Sequence, residues 1–108
     1  MPRTPSVLVT DDERSARMLL RKGLERDGRF RVVGEAVSVR EAAKLSASLQ
    51  PDVVVLAAGA ARDARALRRI QRDSPGSEIV AVAPRLAGAV TDAVLTSTPL
   101  GDELERAR

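Results

Sequence analysis

The stretch that decides the fold is Pro51–Ala60, PDVVVLAAGA. Pro51 cannot continue a preceding helix, and Val53-Val54-Val55-Leu56 is an unbroken apolar run of three β-branched residues and a leucine. Unbroken runs of this length mark strands buried on both faces, as in a parallel sheet covered by helices on each side. The run ends in Ala57-Ala58-Gly59. Strands of open α/β sheets usually carry reactive groups at that end, and here it holds only small, inert side chains.

Working outward, strands and amphipathic segments alternate. Toward the N-terminus, SVLVT (Ser6–Thr10) runs into the acidic DDE, then RSARMLLRKGLERDG places Ala16, Leu19, Leu20 and Leu24 near helical spacing. FRVVGEA (Phe30–Ala36) reads as the second strand. Ser38 and Glu41 form a capping box that opens a helix with Ala42, Leu45 and Leu49 inward, and this helix stops at Pro51. Pro51–Leu56 is the third strand.

Toward the C-terminus, ARDARALRRIQRD predicts a helix with Ala64, Leu67 and Ile70 on one face and Arg65, Arg68, Arg69 and Arg72 on the other. SPG (Ser74–Gly76) is a turn and EIVAVA (Glu78–Ala83) a fourth strand. DAVLTS (Asp92–Ser97) is expected to be a fifth strand, followed by a helix capped by Thr98 with Pro99 at its first position. Only PRLAGAVT (Pro84–Thr91) connects the last two strands. Parallel crossovers need about a dozen residues or more, so the fourth helix is expected to be shortened or absent. The fold class is α/β: one domain over residues 1–108, a three-layer sandwich around a five-stranded parallel sheet of order 2-1-3-4-5.

Composition narrows the chemistry. The 108 residues include no Cys and no His, which excludes disulfides, thiolate metal sites, a Cys nucleophile and the commonest general base. No apolar run reaches the ~18 residues of a membrane span, so a cytoplasmic chain with no membrane partner is expected. The net charge is +3, with basic residues interspersed among acids and one aromatic, Phe30. No aromatic platform for bases follows from this pattern, and direct nucleic-acid binding is not expected. The Arg65/Arg68/Arg69/Arg72 stripe reads as a solvated face, and Asp63 as a charge complement inside the first turn of its helix. A phosphate-binding GxxxxGK[ST] loop is absent, as is any nucleophile–base pair, so no enzyme activity and no cofactor are expected. This disfavours a flavodoxin-like enzyme.

The order and spacing of VLVTDDE (Val7–Glu13), VVGEA (Val32–Ala36), PDVVVL (Pro51–Leu56), ALRRI (Ala66–Ile70) and STPLGDEL (Ser97–Leu104) resemble a response-regulator receiver domain, the CheY-like (βα)5 fold, nearest to the NarL/FixJ type. In that family an acidic pair after the first strand binds Mg²⁺ together with an Asp at the end of the third, and that Asp accepts a phosphoryl group. A Thr or Ser after the fourth strand, an aromatic on the fifth and a Lys after it complete the set. Asp11 and Asp12 match the acidic pair. The phosphoacceptor position falls on Ala57, the Thr/Ser position on Ala83, the aromatic on Ala93 and the Lys on Thr96.

The resemblance therefore implies a degenerate pseudo-receiver that does not use aspartyl phosphorylation. Asp11 and Asp12 read as capping and charging the first helix, with weak Mg²⁺ binding as the other use. Arg62 and Arg85 lie on loops expected to face the same mouth, where a guanidinium would stand in for the missing metal. NarL/FixJ receivers precede a helix-turn-helix output domain, so the expected role is a regulatory, homodimerising module of a transcription regulator. The alternative is a stand-alone pseudo-receiver that binds a small ligand or accessory protein without DNA. A phosphotransfer protein using Asp11 or Asp12 is the remaining rival.

Overall fold

A computed structural model describes residues 4–57 and 62–82. In chain order they form β1 (Ser6–Thr10), α1 (Arg14–Asp27), β2 (Arg31–Ala36), α2 (Val39–Leu49), β3 (Val53–Ala57), α3 (Ala64–Asp73) and β4 (Glu78–Val82). The four strands make a parallel sheet of order β2-β1-β3-β4. This matches the first four places of the expected order. The expected fifth strand, shortened fourth crossover and last helix lie outside the described residues.

The sheet divides the core in two. Val7, Val9, Val53 and Val55 point to one face, where Leu20 and Leu24 of α1 and Phe30 cover them. Leu8, Val54 and Leu56 point to the other, beneath Val39, Ala42 and Ala43 of α2 and Ala66 and Ile70 of α3. β1 and β3 lie between neighbours and are buried on both faces. That explains their unbroken Val/Leu sequence.

Three helix assignments need correction. In α1 the buried line is Ala16, Leu20 and Leu24, spaced by four, and Leu19 is 60% exposed. Leu19 precedes Leu20 by one residue, which on a 3.6-residue turn rotates it about 100° off that line. In α3 the buried pair is Ala66 and Ile70, again spaced by four, while Ala64 is exposed at the first turn. In α2, Leu49 is 41% exposed in the last turn, beside the Cα of Gly34 at the sheet edge.

The capping box is real but shifted. Ser38 Oγ accepts from Glu41 N–H at 3.1 Å, and the Glu41 carboxylate accepts from Val37 N–H at 3.2 Å rather than from Ser38 itself. At the other end of α2, Gln50 adopts the left-handed conformation, φ 48°. Its side-chain Nε2 donates to the carbonyls of Ala47 (3.0 Å) and Asp73 (2.8 Å). The second of these bonds ties the ends of α2 and α3 together.

The N-terminal ends of the strands are laced by Asp52. Its Oδ2 accepts from Ser6 N–H at 2.8 Å and from Ser6 Oγ at 3.1 Å, while Asp52 N–H donates back to Ser6 Oγ at 3.0 Å. Its carbonyl accepts from Glu78 N–H at 2.9 Å. One residue therefore aligns β1, β3 and β4 before their ladders begin.

β2 contains a bulge. Val7 pairs with Val32, but Leu8 pairs with Gly34, so Val33 is the extra residue. Val32 packs into the α1-side cluster and Ala36 into the α2/α3-side cluster. Residues four apart on a regular strand share a face, so the bulge has exchanged the faces of β2 midway. Glu35, pairing with Val9, is thereby placed on the α1 side.

Candidate functional site

The mouth of the sheet is built by the C-terminal ends of the strands, as in other open α/β sheets. The last β1–β3 pair is Thr10 with Leu56, so extending the register by one residue sets Asp11 level with Ala57. Ala57 in turn pairs with Val82. Asp11 and Ala57, the acidic-pair and phosphoacceptor positions expected from sequence, each directly follow that last pair. Ala83, Arg85, Ala93 and Thr96 lie outside the described residues.

The acidic pair is split. Asp11 is 3% exposed, whereas Asp12 is exposed. Asp11 Oδ1 accepts from Glu13 N–H at 2.9 Å, and Asp11 N–H donates to Ala36 O at 3.1 Å. Neither aspartate is the cap of α1. The N-cap is Glu13, whose side chain makes no capping bond, and no acidic residue lies in the first turn. The capping role expected of the pair is therefore reduced to one bond, made by Asp11 to the cap residue. Asp11 Oδ2 and Thr10 Oγ1 are buried and have no hydrogen-bond partner among the described residues.

The Mg²⁺ implied by the receiver resemblance can be tested against these donors. Mg²⁺ demands near-octahedral oxygen coordination and draws on carboxylates for charge. Among the described residues no group of three or more Asp, Glu, His or Cys side chains is placed to hold a metal ion. Alanine at position 57 brings no carboxylate, Asp12 is exposed, and Asp11 Oδ2 is a single donor. These residues do not fit the ion, and no chemistry is routed through it.

Arg62 is exposed, and among the described residues it makes no hydrogen bond or ion pair with Asp11 or Asp12. The guanidinium at this mouth comes from α1 instead. Arg17 Nη1 donates to the backbone carbonyl of Asp11 at 2.9 Å and its Nε to Glu35 Oε1 at 3.1 Å. Arg21 Nη1 meets the other Glu35 oxygen at 2.5 Å, and its Nε meets Glu25 Oε1 at 2.6 Å. The result is a continuous relay, from the Asp11 carbonyl through Arg17, Glu35 and Arg21 to Glu25. It fixes the mouth loop to α1 and to the edge strand.

Sequence reading missed this relay. Arg17, Arg21 and Glu25 at spacings of four were visible as a signal, but Glu35 reaches them only because the bulge turns it to that face. Asp63, expected inside the first turn of α3, is its N-cap, with Oδ1 accepting from Ala66 N–H at 3.1 Å.

The Glu35 carboxyl is held below its ordinary value of 4.5, first by the hydrogen bond from Arg21 and then by that from Arg17, against the opposing effect of burial. A carboxylate with a depressed folded value stabilises the fold fully above its unfolded value, and that contribution is lost as pH falls through the folded value. Glu35→Gln should therefore cost about 1 kcal/mol at neutral pH, a figure kept small by the partial exposure of the pairs. The variant should also lose part of the stability decline seen on acidification below pH 4.5. Urea unfolding at neutral and acid pH measures both. Parallel pH profiles for the two proteins would remove Glu35 as their source.

No family model and no curated protein matches the sequence. Solved structures do match. The response regulator domain of Thermotoga maritima CheB aligns with a TM-score of 0.67 and 25% identity over 96% of this chain and 72% of that one. The signal receiver domain of NarL from Mycobacterium tuberculosis aligns with a TM-score of 0.67 and 22% identity, covering 98% of this chain and 94% of that one. A two-component response regulator of the LuxR family from Aurantimonas sp. SI85-9A1 aligns with a TM-score of 0.70 and 21% identity, covering 98% and 100%. The strand order, the split helical layers and these alignments agree that the chain has the CheY-like fold of response-regulator receiver domains.

Proposed function

We propose that this chain is a phosphorylation-independent receiver domain of a transcriptional response regulator, working as a regulatory and dimerisation module. The observation that carries the proposal is Ala57 as the last residue of β3, directly after the Thr10–Leu56 pair. A methyl group at this position cannot accept a phosphoryl group or bind a metal. The likeness to NarL and LuxR-family receivers supports a helix-turn-helix output domain in the same protein. On this reading the receiver touches neither DNA nor membrane, catalyses nothing and works in the cytoplasm; no described helix is long and apolar enough to cross a membrane. Met18 and Leu19, adjacent and exposed on α1, support self-association as the working output.

A second reading, a pseudo-receiver that takes a small ligand at its mouth, is favoured by Asp11 Oδ2 and Thr10 Oγ1, buried and without a partner among the described residues. Such atoms are costly unless a donor meets them.

One experiment addresses the main reading: incubation with acetyl phosphate and Mg²⁺, followed by intact mass and sedimentation equilibrium. The expected result is an unchanged mass and a dimer with the same concentration dependence as the untreated protein. A phosphoryl adduct, or a dimer formed only with the donor, overturns phosphorylation independence. A monomer under both conditions overturns the dimerisation role alone.

A further inference from the structure

Positive charge is densest on the shorter of two basic helices: α1 also carries a net +3, but over fourteen residues and with Arg17 and Arg21 paired to Glu35 and Glu25. α3 carries Arg65, Arg68, Arg69 and Arg72 against a single Asp73, so these ten residues hold as much net charge as the whole chain, +3. All four arginines are exposed. Their spacing puts them on one face, opposite the buried Ala66 and Ile70, as a ladder about 10 Å long. Asp73 meets Arg72 at 2.8 Å and Arg69 at 3.7 Å. Arg65 and Arg68 make no hydrogen bond or ion pair among the described residues. The exposed Arg62 precedes the ladder, and α2, which packs beside α3 over the same core cluster, adds exposed Arg40 and Lys44.

This arrangement works against the stability of the free helix. Like charges three and four residues apart destabilise it by about 0.2–0.5 kcal/mol a pair. Arg65 and Arg68 also stand near its N-terminus, where the helix dipole favours anions. The one carboxylate at that end, Asp63, spends an oxygen on the Ala66 N–H. Among the described residues the large exposed apolar side chains, Met18, Leu19, Val37 and Leu49, all lie outside α3. What it offers is a row of planar, bidentate forks suited to carboxylates.

We propose that the α3 arginine ladder is a docking surface for an acidic protein segment, one whose Glu or Asp side chains recur at helical spacing and pair fork to carboxylate with Arg65, Arg68 and Arg72. Nucleic acid fits less well. Phe30, the only aromatic in the chain, is buried in the core, so a bound strand would meet phosphate contacts with no stacking platform. The proposal does not depend on how the mouth beside Ala57 is used. It replaces the reading of this stripe as a solvated face.

The test uses a synthetic helical peptide with Glu at positions i, i+3, i+4 and i+7, a scrambled peptide of equal charge, and a short DNA duplex. Binding is measured by fluorescence anisotropy at low and physiological salt. The Glu-ladder peptide should bind more tightly than the other two, and Arg65→Gln/Arg68→Gln should weaken it about tenfold or more. The same substitution should leave the melting temperature unchanged or raised, because it relieves like-charge repulsion. Lys22→Gln/Arg26→Gln on α1, with equal charge loss, should leave binding unchanged. Equal loss from the α1 variant, or equal binding of the scrambled peptide, would reduce the effect to net charge and overturn the proposal. Tighter binding of the duplex would overturn it in favour of nucleic acid.

Discussion

Leu8→Ala is expected to lower the unfolding free energy by about 3–4 kcal/mol, a large share of the ~5–15 kcal/mol available to a domain of this size. Leu8 is fully buried in the middle of β1, under α2 and α3. The cluster around it is rich in alanine: Ala36, Ala42, Ala43 and Ala66. Alanine has no rotamer with which to swing into a vacated space, so the cavity stays open and the loss falls in the upper part of the range for such substitutions. Gly34 supplies a check on this account. A Cβ there would sit 3.2 Å from Leu8 Cδ1 and 3.1 Å from Leu49 Cδ1. Gly34→Ala should therefore cost less in the Leu8→Ala background than in the wild type, a coupling that urea midpoints of the double-mutant cycle measure directly. Leu19→Ala, on the exposed side of α1, should change stability by under about 0.5 kcal/mol. Equal losses at Leu8 and Leu19 would contradict this division of the core.

Asp52→Ala should cost about 2–3 kcal/mol, the range for losing hydrogen bonds to a charged group and leaving their donors unmet. Ser6 is buried, and both its N–H and its Oγ rely on Asp52 Oδ2. Without the carboxylate the backbone donor of Ser6 remains in place with no partner, at the point where β1 and β3 come together. Asp52→Asn keeps an acceptor oxygen and should recover roughly half of the loss, since the bonds survive without their charge assistance. Chemical denaturation of the two variants compares them. If Asp52→Ala stays within about 0.5 kcal/mol of the wild type, the lacing does not hold the strands.

Much of the fold was legible because its signals are local and redundant. The unbroken Val53–Leu56 run, the alternation of strands with amphipathic segments and the stop at Pro51 all point the same way, and the first four strands appear in the expected order. Errors arose where one residue of rotation decides burial, as at Leu19 and Ala64. Apolar character alone does not choose between neighbours that both lie near the buried line.

The candidate site was legible in one part and opaque in another. Ala57 and Asp11 could be placed by counting along strands, because parallel register links them directly. The guanidinium that steadies the mouth could not. Arg62 is expected from sequence because its loop should face the mouth, whereas Arg17 reaches Asp11 O through the geometry of α1 and meets Glu35 through an irregularity in β2. A bulge has no clear signature in a stretch such as RVVGEA; Gly34 is its only hint.

That irregularity also bears on which genetic lesions the domain can absorb. Losing one codon from the middle of a strand is ordinarily severe, because every later side chain in that strand then turns to the opposite face. An in-frame deletion of Leu8 from β1 would do this, carrying Val7 and Val9 out of step with each other. Deletion of the Val33 codon would not. Val32 would still stand opposite Val7, and Gly34, Glu35 and Ala36 would keep Leu8, Val9 and Thr10 as partners. The strand would gain a regular pleat, and Glu35 would stay on the side of Arg17 and Arg21. Within β2 the gene therefore holds one codon that it can lose without inverting the strand, and a single added codon on either side of it would do the harm instead.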